Sequence, residues 1–156
     1  RQAKENRLYA KIFAFAVGPG LPDFGKNLGL DAEGVMGNTQ WEPTLKLPGV
    51  KEFAEKYKTK YGHEPGYHAG GGYGAGQVIE AAVKKAGSTD RDKMREALAT
   101  LDTVTAFGRY KVDATGKQIG KPGYWVQWLS GERHVVLPAE VATAKVAYPF
   151  KDWAKR

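Results

Sequence analysis

Residues 11–20 read KIFAFAVGPG, and the fold turns on how this stretch is read. Ile12 to Val17 is the longest apolar run in the chain. It is far short of the roughly 20 apolar residues a membrane-spanning helix needs, and its length suits a buried strand. The run ends at Gly18, Pro19 and Gly20. An apolar strand that runs into a Gly/Pro turn is how a parallel-sheet strand reaches its carboxyl end, where α/β proteins bind ligands. Parallel strands need helical crossovers between them, so an α/β fold follows, with residues 18–20 as a candidate ligand-facing turn.

Upstream of this strand, residues 1–11 (RQAKENRLYAK) lack the apolar middle and the small-residue cleavage site of a secretory signal. They read as the tail of an amphipathic helix already under way, so the chain is expected to start within a fold. Any targeting signal would then lie further upstream. Downstream, residues 21–28 suggest a short helix, with Asp23 near its start and Gly29 after its end. Residues 32–41 read as a second strand, broken by a connection around 38–43.

Three helices are expected next. Pro48 suits a first helical turn, and Val50, Phe53, Tyr57 and Tyr61 recur at spacings of three and four before Gly62. The second helix begins near Tyr67 and runs through Val78, Ile79, Ala82 and Val83 to Gly87. Ser88 or Asp90 caps the third, whose apolar face is Met94, Ala97, Leu98 and Leu101. The period then changes. Residues 107–113 suggest a strand and 114–117 a turn, and strands at 124–129 and 134–137 form a hairpin about Ser130 and Gly131, stopped by Pro138. The tail at 146–156, with Pro149 and Trp153, reads as a packed terminal extension. Two strand-helix units and a hairpin make a poor sheet for three helices, so further strands are expected upstream or from a second copy.

Composition narrows the function. There is no cysteine, which excludes disulfides, thiolate catalysis and Cys-based zinc sites. The net charge of +7 invites a nucleic-acid reading. However, Lys51, Lys56, Lys58 and Lys60 alternate with Glu52 and Glu55, as on a solvated helix face. No recognition motif accompanies the charge, so no nucleic-acid partner is expected.

The glycine-rich run at 69–76 fits neither G-x-G-x-x-G nor G-x-x-x-x-G-K-[ST]. It reads instead as a helix whose small residues admit a close neighbour. His63, His68 and His134 lack metal-ligand spacing, so no metal or other cofactor is expected. His68 nevertheless follows Tyr67 at a helix start, where backbone N–H groups favour an anionic or polar ligand. The two serines, Ser88 and Ser130, sit at caps or turns with no base beside them, and no other nucleophile is paired. Nothing here signals an enzyme.

Residues 57–102 (YKTKYGHEPGYHAGGGYGAGQVIEAAVKKAGSTDRDKMREALATLD) and 105–138 (TAFGRYKVDATGKQIGKPGYWVQWLSGERHVVLP) together resemble the C-terminal half of the Leu/Ile/Val-binding-protein-like receptors of ABC transporters. The resemblance is carried by F-x₃-Y-x₃-YG-x-x-P from Phe53, by an AGS-x-D helix start at 86–90 and by G-x-Y-x-V-D-x₂-G at 108–116. A QW-containing hairpin at 127–138 and AEGVMGNTQW at 32–41 also match. It implies a type I periplasmic binding fold: two lobes of parallel sheet joined by hinge strands, trapping a small-molecule solute and delivering it to a membrane permease. It further implies a periplasmic location.

By analogy, residues 1–42 would belong to the second lobe, 43–102 to the first, 103–137 would return to the second, and 138–156 would form an extension. The hinge would then involve Trp41, Glu42, Pro43, Thr105 and Phe107. Gly18, Pro19 and Gly20 with Tyr67, His68 and Ala69 would line the cleft. Amino-acid-binding members similar to this chain carry a carboxylate directly after Gly-Pro, where Gly20 stands. That departure points to a carboxylate, aromatic acid or amide ligand, or to an amino-acid-like solute held by other carboxylates. A ligand-sensing domain of the same fold in a signalling system is the alternative function, and a basic nucleic-acid-binding domain ranks behind it. Apolar surface meant for a missing portion would also favour self-association, as a dimer or by exchange of elements.

Overall fold

The computed structural model describes residues 1–153. Two compact units emerge, one formed by Arg1–Gln40 with Gly123–Arg156 and the other by Trp41–Pro122. The chain leaves the first unit after Gln40 and re-enters it at Gly123. The first division adjoins the expected crossing at Trp41–Pro43. The second falls well beyond the expected return at residue 103, because residues 102–111 stay in the second unit.

The first unit is built on a four-stranded sheet of order β1-β2-β5-β6: β1 (Ala14–Phe15), β2 (Met36–Thr39), β5 (Tyr124–Leu129) and β6 (Glu132–Leu137). β1 runs parallel to β2, and the other pairs are antiparallel. The helices are α1 (Gln2–Glu5) and α2 (Pro22–Leu28). α2 starts with Pro22 at its first turn and stops at Gly29, whose φ of +54° suits glycine. The core is formed by Phe13, Val35, Met36, Val126, Trp128, Val135 and Val136.

The expected strand at 11–17 is corrected. Only Ala14 and Phe15 join the ladder, and Ile12, Phe15 and Val17 are exposed. A continuous apolar run predicts burial on both faces, but β1 lies at the sheet's edge and only Phe13 is covered. Its cover comes from the tail, where Phe150 and Trp153 approach Phe13 at ring-centroid distances of 4.7 and 5.5 Å. The tail thus packs as expected as far as Trp153, and residues 154–156 lie outside the described part.

At the centre of this unit the Gln127 amide is buried. Its Nε2 donates to the carbonyls of Gly34 (2.9 Å) and Ala147 (3.0 Å), and its Oε1 accepts from the Ala147 amide (2.8 Å). A polar side chain at an inward strand position is tolerated because each hydrogen-bonding end has a partner.

The second unit packs α3 (Val50–Tyr61), α4 (Tyr67–Ala86) and α5 (Arg91–Ala99) with a two-stranded hairpin, β3 (Asp102–Thr105) and β4 (Gly108–Lys111). α3 is closed by Gly62 in the left-handed region and α4 by Gly87. Pro48 precedes α3 rather than entering it, and Gly49 takes the cap position. At α5, Asp90 is the cap, accepting from the amides of Asp92 and Lys93, both at 3.1 Å. Ala82, Ala97 and Leu101 form a small core, with Val78, Met94, Leu98 and Tyr110 packed against it.

β3 was not foreseen. Asp102-Thr103-Val104-Thr105 pairs antiparallel with β4, and the turn is fixed by the Thr105 hydroxyl, which donates to the Gly108 carbonyl (2.9 Å) and accepts from the Phe107 amide (3.1 Å). Arg109 forks onto the Asp102 carboxylate with two 2.6 Å contacts, and its hydrogen bonds hold that carboxyl down at a pKa of about 2.

The glycine-rich part of α4 resolves into two kinds of position. A Cβ on Gly70 would lie 2.8 Å from the Trp41 ring, and one on Gly74 2.4 Å from the Phe107 Cβ. Gly72 and Gly76 face open space. The small residues therefore admit side chains of the loop before α3 and of the β3–β4 turn. Alanine at Gly72 or Gly76 should raise stability in urea titration by up to about 1 kcal/mol through helix propensity. Gly74→Ala should lower it, since the Phe107 Cβ is fixed to its backbone. Equal effects at Gly72 and Gly74 would refute this division.

Candidate functional site

Two segments were expected to meet a ligand, and they belong to different compact units. In the first unit, Gly18–Gly20 forms a single 3₁₀ turn directly after β1. Pro19 and Gly20 are buried, while Gly18 is exposed. The turn is clamped from below. The Trp128 indole N–H donates to the Pro19 carbonyl (2.8 Å), and an Arg133 Nη donates to the Gly20 carbonyl (3.0 Å). Gly37 of β2 packs against the turn, where a Cβ would come within 2.6 Å of the Pro19 Cβ.

Gly20 has a steric reason to be glycine. A Cβ there would lie 2.5 Å from the Asn38 carbonyl oxygen, which belongs to β2. The position that could have carried a carboxylate therefore has no room for one in this packing. Sequence reasoning noticed the missing charge but had no means of seeing the contact that excludes it.

In the second unit, Tyr67, His68 and Ala69 form the first turn of α4. Gly66 precedes it and supplies no side-chain cap. The Tyr67 and His68 rings stack at 4.0 Å between centroids, with Tyr67 half-buried and His68 exposed. Glycine flanks the turn, so the helix start presents backbone N–H groups together with an aromatic pair.

The residues expected at the hinge divide. Trp41, Glu42 and Pro43 open the second unit. Trp41 is fully buried, donating its indole N–H to the Ala106 carbonyl (2.7 Å) and meeting Phe53 edge-on at 5.9 Å. Thr105 and Phe107 sit in the β3–β4 turn, inside the second unit and away from its boundary at Pro122. Their roles in this structure are to close the hairpin and to pack against Gly71 and Gly74 of α4. Among the described residues, no group of three or more His, Asp or Glu side chains is placed to hold a metal, and no helix is long and apolar enough to cross a membrane.

A mixed sheet whose parallel pair leads into the Gly18–Gly20 turn, with a second unit reached by two chain crossings, is an α/β arrangement that matches the type I periplasmic-binding fold. The chain belongs to the periplasmic binding protein family, whose model matches residues 1–133. A curated relative, Leu/Ile/Val-binding protein homolog 7 of Brucella suis, is 30% identical over 112 residues, covering 68% of this chain. The chain spans only 28% of that relative's length. The solved leucine-binding protein of Thermotoga maritima is 29% identical with a TM-score of 0.72, covering 86% of this chain and 39% of that one. A putative branched-chain amino acid ABC transporter protein of Rhodospirillum rubrum is 28% identical with a TM-score of 0.69, covering 85% of this chain and 39% of that one.

Proposed function

We propose that this chain is part of the extracytoplasmic solute-binding component of an ABC importer, working in the periplasm and delivering a small organic solute to a membrane permease. The observation that carries this reading is the family match over residues 1–133. Solute capture would be a closure between two lobes in which ligand selects the closed state, with no chemistry done on the solute. Gly18, Pro19 and Gly20 and the start of α4 at Tyr67, His68 and Ala69 are the segments proposed to contact it. The hinge is proposed at Trp41, Glu42 and Pro43.

The solute class follows from Gly20. A desolvated ammonium needs a charged partner, and the crowding of Gly20 against Asn38 removes the position next to Pro19 as its source. A carboxylate, an aromatic acid or an amide fits better than an α-amino acid. Calorimetry on the full-length protein checks this. Micromolar binding of such acids with weak leucine and valine binding is the expected result. Tight leucine or valine binding with no affinity for the acids would defeat it.

A further inference from the structure

The segment that leads into β1 has little structure of its own. Among the described residues, 8–13 belong to no helix or strand, and Phe13 is the one residue of 1–17 that is buried. The ligand-facing end of β1 nevertheless depends on this segment. The Met36 amide donates to the Phe13 carbonyl (2.8 Å), the Asn38 amide to the Ala16 carbonyl (2.8 Å) and the Gly20 amide to the Val17 carbonyl (2.9 Å). A two-residue ladder at a sheet edge is the kind of element that opens locally at small cost.

The other end of the chain supplies what the ladder lacks. After β6 the backbone is fastened at successive points along the first unit. The Thr143 amide donates to the Val135 carbonyl (2.8 Å), and the Ala147 amide and carbonyl are both bonded to the buried Gln127 side chain. The Phe150 amide then donates to the Lys11 carbonyl (2.8 Å), and the Trp153 indole N–H to the Leu8 carbonyl (2.9 Å). Both rings pack on Phe13 and meet each other edge-on at 5.3 Å. Phe150 also fills the space beside Gly34, where a Cβ would lie 3.0 Å from its ring. Residues 8–13 are therefore gripped by backbone and by rings from residues 150–153. These lie beyond the stretch 1–133 that the family model matches.

We propose that residues 146–153 form a strap that seats Phe13 and thereby positions the Gly18–Gly20 turn, with Phe150 and Trp153 as positioning residues. The turn is then held from two sides. Trp128 and Arg133 fix the carbonyls of Pro19 and Gly20 from β5 and β6, and the strap fixes the strand that enters the turn. What the turn contacts rests on the solute-capture reading, whereas how it is held does not.

Hydrogen exchange followed by NMR on the 156-residue chain tests the strap, comparing the parent with the Phe150→Ala/Trp153→Ala double variant. The amides of Gly20, Met36 and Asn38 should exchange at least about tenfold faster in the variant, while those of the β5–β6 ladder stay within about threefold of the parent. Phe150→Leu, which keeps apolar bulk on Phe13, should stay within about threefold at all of them. Should the double variant fail to fold, Trp153→Ala alone is read in the same way, with at least about threefold acceleration confined to those three amides. Unchanged exchange at Met36 and Asn38 would overturn the strap. Equal acceleration across the β5–β6 ladder would overturn it as well, since that marks ordinary core packing. Acceleration at Met36 and Asn38 with Gly20 unchanged would overturn the positioning of the turn. Exchange is read without solute, so these outcomes are separate from the failure of a solute to bind.

Discussion

Gly20→Asp is expected to destabilise the first unit by about 3 kcal/mol, while Gly18→Ala changes stability by no more than about 0.5 kcal/mol. The contrast comes from what each added Cβ would meet. At Gly18 the nearest atom is the edge of the Phe24 ring, 3.9 Å away. At Gly20 it is the Asn38 carbonyl oxygen, 2.5 Å away, and that oxygen is part of a strand held between two neighbours. The turn cannot back away freely either, since its carbonyls are engaged by Trp128 and Arg133. An aspartate would also bring its negative charge towards a carbonyl oxygen. Urea midpoints of the two variants give the measurement. Similar midpoints would show that the Gly-Pro-Gly turn is looser than its contacts imply, and would reopen the question of an ammonium partner there.

Trp41→Ala should have the largest effect in the second unit, about 4 kcal/mol. The indole is fully buried, packs edge-on against Phe53 and occupies the space that Gly70 leaves by lacking a side chain. Its removal leaves a cavity and strips the Ala106 carbonyl of its donor. Trp41→Phe separates the two contributions, since it keeps most of the apolar volume and loses the N–H. It should cost about 1–2 kcal/mol for the unpaired carbonyl together with the lost ring area. Thermal unfolding followed by far-UV circular dichroism reads both. If Trp41→Ala unfolds within about 1 kcal/mol of the parent, the side chain is not the anchor its burial implies.

Several parts of this fold were legible because they depend on local chemistry. Gly62, Gly87 and Asp90 marked helix ends correctly because a left-handed closing residue and a capping carboxylate act on their own backbone. The hairpin at Ser130 and Gly131 was legible for the same reason, with both residues at positive φ. β3 could have been found from Thr103-Val104-Thr105 followed by Gly108, a β-branched run leading into a glycine turn. It was obscured because Leu101 belongs to the apolar face of the third helix and the residues from 103 on read as a crossing between lobes.

Other features rest on partners far along the chain. Gly25 of α2 faces the Trp128 ring, with no room between them for a methyl group. Gln127 is satisfied by Gly34 and Ala147. Neither pairing has a signature in the residues around it. The return to the first unit at Gly123 was missed because residues 120–123 (GKPG) look like any other turn. At the candidate site, residue types pointed to the Gly-Pro-Gly turn and to the start of α4. The steric closure at Gly20 comes from the Asn38 carbonyl of β2, a partner that no pattern around residues 18–20 announces.

The two-residue ladder of β1 bears on how this polypeptide behaves by itself. Its inner side is bonded to β2, and its outer side is the rim of the sheet, with Ile12, Phe15 and Val17 greasy and in contact with water. Such a rim is a template: any extended segment with matching hydrophobicity can zip onto it through main-chain hydrogen bonds. If this seam is used, light scattering should show association rising with concentration, and Phe15→Lys should suppress it as a gatekeeper charge; a parent that stays monomeric would refute it.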